Sequence, residues 1–283
     1  MNEGAFPTLE ERVRTALLED LGEAGDVTSL AVFGESDIAR VTILAKESGV
    51  LCGVEPFYLV FAVLGGVTVY PLKEDGDEII AGEMVAELEG NTRALLAGER
   101  TALNFLQRLS GIATCTAQYV AAVQGSGLCI CDTRKTTPLW RDLEKRAVRC
   151  GGGINHRAGL YDMVMVKDTH ADGAGGLAEA LRRVAHLRPP LAIAAETRNM
   201  EEVRTALAAE VDLLMLDNMD EAELREAIAL AKGKPEIEIT GGVTLDTIEN
   251  LARLGADRVS VGALTHSAPA LDFSLRLETQ PAP

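Results

Sequence analysis

Apolar and polar positions along this chain follow two textures that meet near residue 125. In the first, the spacing predicts a helix over Leu9–Leu21, with Thr8 as N-cap and Glu11 three residues on. Gly22–Ser29 reads as a loop, Ile38–Ala45 alternates as a strand, and Gly49–Gly53 begins another. Glu55–Leu64 has helical spacing and stops at Gly65-Gly66, while Val67–Leu72 and Met84–Leu88 read as strands. Gly98–Gln124 is mostly helical, with a break expected at Ser110-Gly111. This region is α+β and has the look of a scaffold.

After Gly127 one unit repeats, a short apolar strand followed by an amphipathic helix. The strands are Leu128–Cys131, Met163–Val166, Leu191–Ala195, Asp212–Leu216, Glu236–Ile239 and Arg258–Val261. The helices include Glu221–Ala231, opened by Asp220 with Glu223 three on, and Leu245–Leu254, closed by Gly255. Strand and helix alternating in one direction imply a parallel sheet with right-handed crossovers. Six such units suggest a β/α barrel. An open doubly wound sheet is the alternative, although no G-x-G-x-x-G turn follows the first strand.

Each strand ends on residues that a buried strand does not need: Asp132 with Arg134 and Lys135, then Lys167, Glu196, Asp217, Thr240 with Gly241-Gly242, and Gly262. A β/α barrel builds its active site at the carboxyl ends of its strands. One such charge could cap a helix or sit in a surface ion pair. A series along one rim is harder to explain that way.

Charge sharpens the picture. The chain of 283 residues carries a formal charge of -16, yet Lys and Arg outnumber Asp and Glu between Asp132 and Asp168. A basic island in an acidic protein implies a small, strongly anionic substrate and argues against nonspecific nucleic-acid or anionic-membrane binding. The opening MNEGAFPTLEERV has no apolar core of signal-peptide length, and no apolar run reaches membrane-spanning length. The five cysteines show no zinc-ligand spacing and read as small core thiols, with Cys129 and Cys131 on one strand face. A reducing cytoplasm fits.

Thr-Gly-Gly and Val-Gly-Ala at the last two strand ends would let backbone N–H groups approach phosphate, where barrels commonly bind it. Glu196 and Asp217 could do acid–base work, hold Mg²⁺, or accept hydrogen bonds from ribose hydroxyls; beside phosphate loops, metal or sugar fits better. Arg134, Lys135, Arg157 and Lys167, with His156 beside them, form a clamp for carboxylates, which points to a dicarboxylic acid. Arg100, near the start of its helix, reads from spacing alone as a surface arginine.

The segments DTRKTTP, GGGINHR, LYDMV, KDTH, LLMLDN and VGALTHSAP resemble those of the quinolinate phosphoribosyltransferases, over about Glu19 to Leu275. The resemblance implies an α/β protein: an N-terminal α/β sandwich over 1–110, an incomplete, TIM-like β/α barrel over 111–270, and a segment 271–283 that packs back onto the first domain. It implies a Mg²⁺-dependent, decarboxylating phosphoribosyl transfer from phosphoribosyl pyrophosphate to quinolinate in NAD biosynthesis, by a homodimer or an assembly of dimers. Lys135, Lys167, Glu196 and Asp217 are then the catalytic residues. Thr133, Arg134, Lys135, His156, Arg157 and Lys167 hold quinolinate, and Arg100 is lent by the neighbouring subunit. Glu196 and Asp217 lie near the ribose and Mg²⁺, and Thr240-Gly241-Gly242 and Val261-Gly262-Ala263, with His266, take phosphate. This chain departs from the family at Leu139, where glycine is usual, at Ile154 (lysine), at Thr169 (asparagine) and at Thr240 (serine). A non-catalytic anion-binding relative, of the group linked to molybdate transport, is the alternative.

Overall fold

A computed structural model of the protein describes residues 6–278. Residues 1–5, and 279–283 of the C-terminal segment expected to pack back, lie outside the described residues. The chain divides into two compact units, Met1–Thr114 with Pro269–Pro283, and Cys115–Ala268. No helix of the described residues is long and apolar enough to cross a membrane.

In the first unit, α1 (Leu9–Leu21) opens with the capping box read from sequence: the Glu11 N–H donates to Thr8 Oγ1 at 3.2 Å, and the Thr8 N–H to Glu11 Oε2 at 2.7 Å. The loop expected to run to Ser29 ends sooner. Asp26 accepts from the N–H groups of Thr28 and Ser29 and starts a one-turn-scale helix, α2 (Val27–Val32), too short to show a helical apolar period. There follow β1 (Ile38–Ala45), β2 (Gly49–Val50), α3 (Val54–Leu64), β3 (Val67–Pro71), β4 (Glu78–Ile79) and β5 (Met84–Asn91). The strand expected over Gly49–Gly53 is thus only two residues long, pairing with β4.

The chain then forms one continuous helix, α4 (Thr92–Ala122), with no break at Ser110-Gly111. Those two residues serve packing instead. Ser110 Oγ donates to the Cys52 carbonyl and accepts from its N–H, and a Cβ at position 111 would lie 2.0 Å from the Pro269 carbonyl oxygen. Glycine here lets two backbones touch.

The second unit alternates as predicted: β6 (Cys129–Cys131), α5 (Arg141–Cys150), β7 (Val164–Val166), α6 (Asp168–Ala174), α7 (Leu177–Val184), β8 (Ile193–Thr197), α8 (Met200–Ala208), β9 (Leu213–Asp217), α9 (Glu221–Ala231), β10 (Glu236–Thr240), α10 (Leu245–Ala252), β11 (Arg258–Ser260) and α11 (Ala263–His266). The final strand, β12 (Phe273–Leu277), belongs to the first unit, where an antiparallel sheet runs in the order β12-β1-β5-β3. The six parallel strands run in the order β6-β11-β10-β9-β8-β7, a ring cut once, between β6 and β7. The triple-glycine segment docks at that cut: Ile154 forms a parallel bridge with Cys131, and its N–H donates to the Ile130 carbonyl at 2.8 Å. Gly153 is required there, because a Cβ would meet Thr116 Cγ2 and Val148 Cγ1 at 2.8 Å. Met165, Ala194, Leu213 and Met215 plug the interior below. The expectation that the cysteines are core thiols holds for Cys52 and Cys131 only; Cys129, the first residue of β6, is exposed, and Cys115 and Cys150 are half-buried.

At Leu139, where the family resemblance implies glycine, Thr137–Trp140 form a tight turn closed by the Trp140 N–H on the Thr137 carbonyl (3.0 Å), with Pro138 second and Leu139 third at φ 66°. A proline second and a positive φ third are the marks of a type II turn, whose third residue is normally glycine. A leucine there costs about 1–2 kcal/mol in backbone strain, and glycine costs about 0.5–1 kcal/mol in added chain entropy. Urea melts should therefore rank the variants Leu139→Gly at least as stable as the parent, and Leu139→Val below it by more than about 1 kcal/mol, since a β-branched residue fits a positive φ worst. A Leu139→Val protein as stable as the parent would contradict the turn.

Candidate active site

The carboxyl ends of the parallel strands surround a cavity of about 470 Å³, lined wholly by the second unit. It brings together Thr133, Arg134, Lys135, His156, Arg157, Lys167, Glu196, Asp217, Thr240, Gly241 and Gly242, residues far apart in sequence that had each been singled out by type and position.

The construction starts from Asp132, which the strand pattern had placed on the rim. The structure buries it completely. Its Oδ1 accepts from Lys145 Nζ at 2.6 Å and from the His156 N–H at 2.8 Å, and its Oδ2 from Asn155 Nδ2 at 2.6 Å. Lys145 Nζ, also buried, donates as well to the His156 carbonyl at 2.8 Å. Desolvation pushes the Asp132 carboxyl above the usual aspartate range, and Lys145, the His156 N–H and Asn155 oppose that rise. Asp132 therefore fixes the backbone that carries His156 and Arg157. It faces no solvent and does not line the cavity. A second buried carboxylate, Glu144, holds the neighbouring loop by accepting from Thr137 N–H (3.1 Å) and Oγ1 (2.7 Å).

On that frame the cations cluster. Arg157 is buried, with one guanidinium N–H on the Met163 carbonyl. Burial, reinforced by the nearby charge of Arg134, lowers its pKa from the usual arginine value. Arg134 Nε is buried and makes no hydrogen bond. Two guanidiniums in mutual repulsion, one with an unmet donor, await an anion. Lys135 lies against Gly262, where a Cβ would come within 2.9 Å of its Cδ. Lys167, from the end of β7, reaches Glu196 at the end of β8 with 3.2 Å between Nζ and Oε2.

Asp217 accepts from Asn218 Nδ2 at 3.2 Å. Asn218 itself has φ 52°, and its side chain fills the space a Cβ at Gly241 would need (2.3 Å), which explains the glycine at φ 92°. Ser260 Oγ donates to Thr240 Oγ1 at 3.0 Å. Glu196 and Asp217 are hard oxygen donors of the kind Mg²⁺ takes, and a pair of carboxylates suits an ion whose other positions go to phosphate and water.

Sequence reasoning missed the floor of the cavity: Met165, Met215, Glu238 and Ser260, with Asn218 at the side. Glu238 was hidden inside an apparent core strand. The signal was its alternation with Ile237 and Ile239, which turns it to the opposite face from them and toward the barrel interior. Arg258 Nε lies 2.9 Å from Glu238 Oε2 and His156 Nε2 lies 3.3 Å from it, both too far off axis to be hydrogen bonds, so the attraction is Coulombic.

The other expected residues lie elsewhere. Val261 is in the core, its N–H on the Cys131 carbonyl, and Ala263 opens the short α11. His266 is exposed, with Nδ1 2.6 Å from Ser267 Oγ. Arg100 is exposed on α4 in the first unit.

Comparison with known proteins bears on what this cavity serves. The chain matches the family models "Quinolinate phosphoribosyl transferase, C-terminal domain" over residues 112–276 and "Quinolinate phosphoribosyl transferase, N-terminal domain" over residues 26–110. It is 40% identical over 269 residues to a probable carboxylating nicotinate-nucleotide pyrophosphorylase of Bacillus subtilis, covering 94% of this chain and 92% of that one. It is 39% identical to a chloroplastic carboxylating nicotinate-nucleotide pyrophosphorylase of Arabidopsis thaliana, covering 96% and 83%. The solved nicotinate-nucleotide pyrophosphorylase of Francisella tularensis superposes with a TM-score of 0.91 at 36% identity, covering 95% of this chain and 96% of that one. With both of the family's domains matched in order and its fold reproduced, the chain belongs to the quinolinate phosphoribosyltransferase family.

Proposed function

We propose that this chain is a carboxylating nicotinate-nucleotide pyrophosphorylase. It joins quinolinate to phosphoribosyl pyrophosphate and releases pyrophosphate and CO₂, giving nicotinate mononucleotide for NAD biosynthesis. The observation that carries the reading is the cavity itself, where paired guanidiniums and lysines for a dicarboxylate face two carboxylates and a Gly-Gly turn. The relatives above are named as enzymes, and none speaks for the anion-binding alternative.

In this reading Arg134, Arg157, Lys135 and Lys167 hold quinolinate, with Thr133 and His156 beside them. When the dicarboxylate draws Lys167, Glu196 is left free to accept from ribose hydroxyls, and Asp217 does the same from β9. Thr240, Gly241 and Gly242 present a hydroxyl and backbone N–H groups to phosphate, with Val261–Ala263 and His266 on the adjoining loop. Mg²⁺ arriving with the phosphoribosyl donor would be held by Glu196 and Asp217 and would offset charge on the departing pyrophosphate. Bond breaking at C1′ leaves an oxocarbenium-like ribose, which the clamped pyridine nitrogen attacks; no side chain need act as a strong base. All five cysteines are free thiols, which supports a reducing, cytoplasmic setting. Incubation with quinolinate, phosphoribosyl pyrophosphate and Mg²⁺ should release pyrophosphate and CO₂ in equal amounts. No release above background would overturn the reading.

The active unit in this proposal is a homodimer, or an assembly of dimers. The resemblance assigns Arg100, exposed on a first-unit helix, to a cavity lined by the second unit, and a partner subunit can supply it. Arg100→Ala and Lys167→Ala should each be nearly inactive. Mixed and allowed to exchange subunits, they should recover about a quarter of the parent activity, because half the dimers are mixed and half their sites are whole. A mixture that stays inactive after demonstrated exchange would place Arg100 in its own chain's site.

A further inference from the structure

The carboxylates Glu196 and Asp217 are held in opposite ways. Glu196 faces an ammonium, with 3.2 Å between its Oε2 and Lys167 Nζ. Asp217 faces a neutral amide, its Oδ1 accepting from Asn218 Nδ2 at 3.2 Å. Only the nitrogen of that amide can donate to a carboxylate, which settles how the Asn218 side chain is turned. A cation partly cancels the charge it holds and competes with any other cation for it. An amide N–H orients a carboxylate and favours its charged form.

Asn218 also reaches the neighbouring strand. It follows directly after β9, where its backbone turns left-handed at φ 52°, a conformation that asparagine and aspartate tolerate better than most residues. Its N–H donates to the Thr240 carbonyl at 3.1 Å, beside the rung that pairs Asp217 with Thr240. The turn lays the amide over Gly241, in the space that a side chain at that position would take. One side chain thus joins the ends of β9 and β10, with a carboxylate on one side and the Gly241-Gly242 turn on the other. Asn218 lines the cavity together with both.

We infer that Asn218 is a positioning residue for the phosphoribosyl donor. Its amide fixes the Asp217 carboxylate and the Gly241-Gly242 turn at one mutual spacing, so that the ribose and the phosphate of a single ligand are engaged together. It acts through those groups and on no reacting atom. Asparagine meets three demands at this position: a left-handed backbone, a short reach, and a donor without charge. Glycine meets the first alone, and aspartate the first two. The cations for quinolinate stand elsewhere: Arg134 and Lys135 follow β6 and Lys167 follows β7, the outermost strands of the sheet, whereas β9 and β10 are its middle pair. Loss of the Asn218 amide should therefore weaken one substrate and spare the other.

The inference rests on the proposed phosphoribosyl transfer, and two variants test it. Asn218→Gly keeps the backbone conformation and removes the side chain. Asn218→Asp keeps the backbone and the reach but puts a second negative charge where the donor was. In both, kcat/KM for phosphoribosyl pyrophosphate, measured at saturating quinolinate, should fall by about tenfold or more. The Kd for quinolinate alone, from calorimetry, should stay within about twofold of the parent's, a split that general damage to the fold would not give. Either variant with the parent's kcat/KM for the donor would overturn the inference, as would a quinolinate affinity that falls in step with it. The parent run alongside separates the two readings. A parent that releases no pyrophosphate defeats the proposed function, whereas an active parent with an equally active Asn218→Gly or Asn218→Asp variant defeats only the role of Asn218.

Discussion

The Asp132 carboxylate, shut away from solvent against Lys145 Nζ, is the contact on which the site's geometry depends. The sheet is cut between β6 and β7, so no regular strand carries the residues that a closed barrel would present there. Asp132 replaces that missing support. It sits at the end of β6 and gathers the backbone of His156, the side chain of Asn155 and the ammonium of Lys145 from α5. Removing one partner of such a buried pair typically costs ~3–5 kcal/mol, since the survivor is left charged and dry. The arginine clamp is therefore held by charges that never meet the ligand.

The same economy of charge runs through the cavity. Each potentially costly group has a counterpart at hand: Lys167 beside Glu196, Arg258 beside Glu238, Asn218 on Asp217. Arg134 and Arg157 repel each other, and the buried Arg134 Nε has no hydrogen-bond partner, which leaves this pair ready for an anion. An acidic protein concentrates its positive charge where a small polyanion must be captured, which favours both selectivity and encounter rate.

Much of this was legible in the residues. Strands written as apolar runs and closed by a charge gave away both the parallel sheet and its functional rim, because Lys167, Glu196 and Asp217 each stand where an apolar run stops. The clamp followed from residue type. What stayed hidden depends on three dimensions. Asp132 and Lys167 both follow an apolar run, and sequence cannot say that the first turns inward to a lysine while the second faces the cavity. Glu238 looked like part of a strand, since inside a barrel the second face of a strand is neither core nor solvent. Gly111 looked like a helix breaker, because the backbone of Pro269 that it accommodates is distant in sequence. The short α2 has a cap but too few residues to show a period.

A double-mutant cycle on Asp132 and Lys145, read out by the equilibrium affinity for quinolinate, tests the account most directly. Asp132→Asn and Lys145→Met should each weaken binding by about tenfold or more, although neither residue lines the cavity. The double variant should lose little more than either single one, because both act through one contact on the same backbone. Single variants that bind like the parent, or losses that simply multiply, would show that the clamp stands without its buried support.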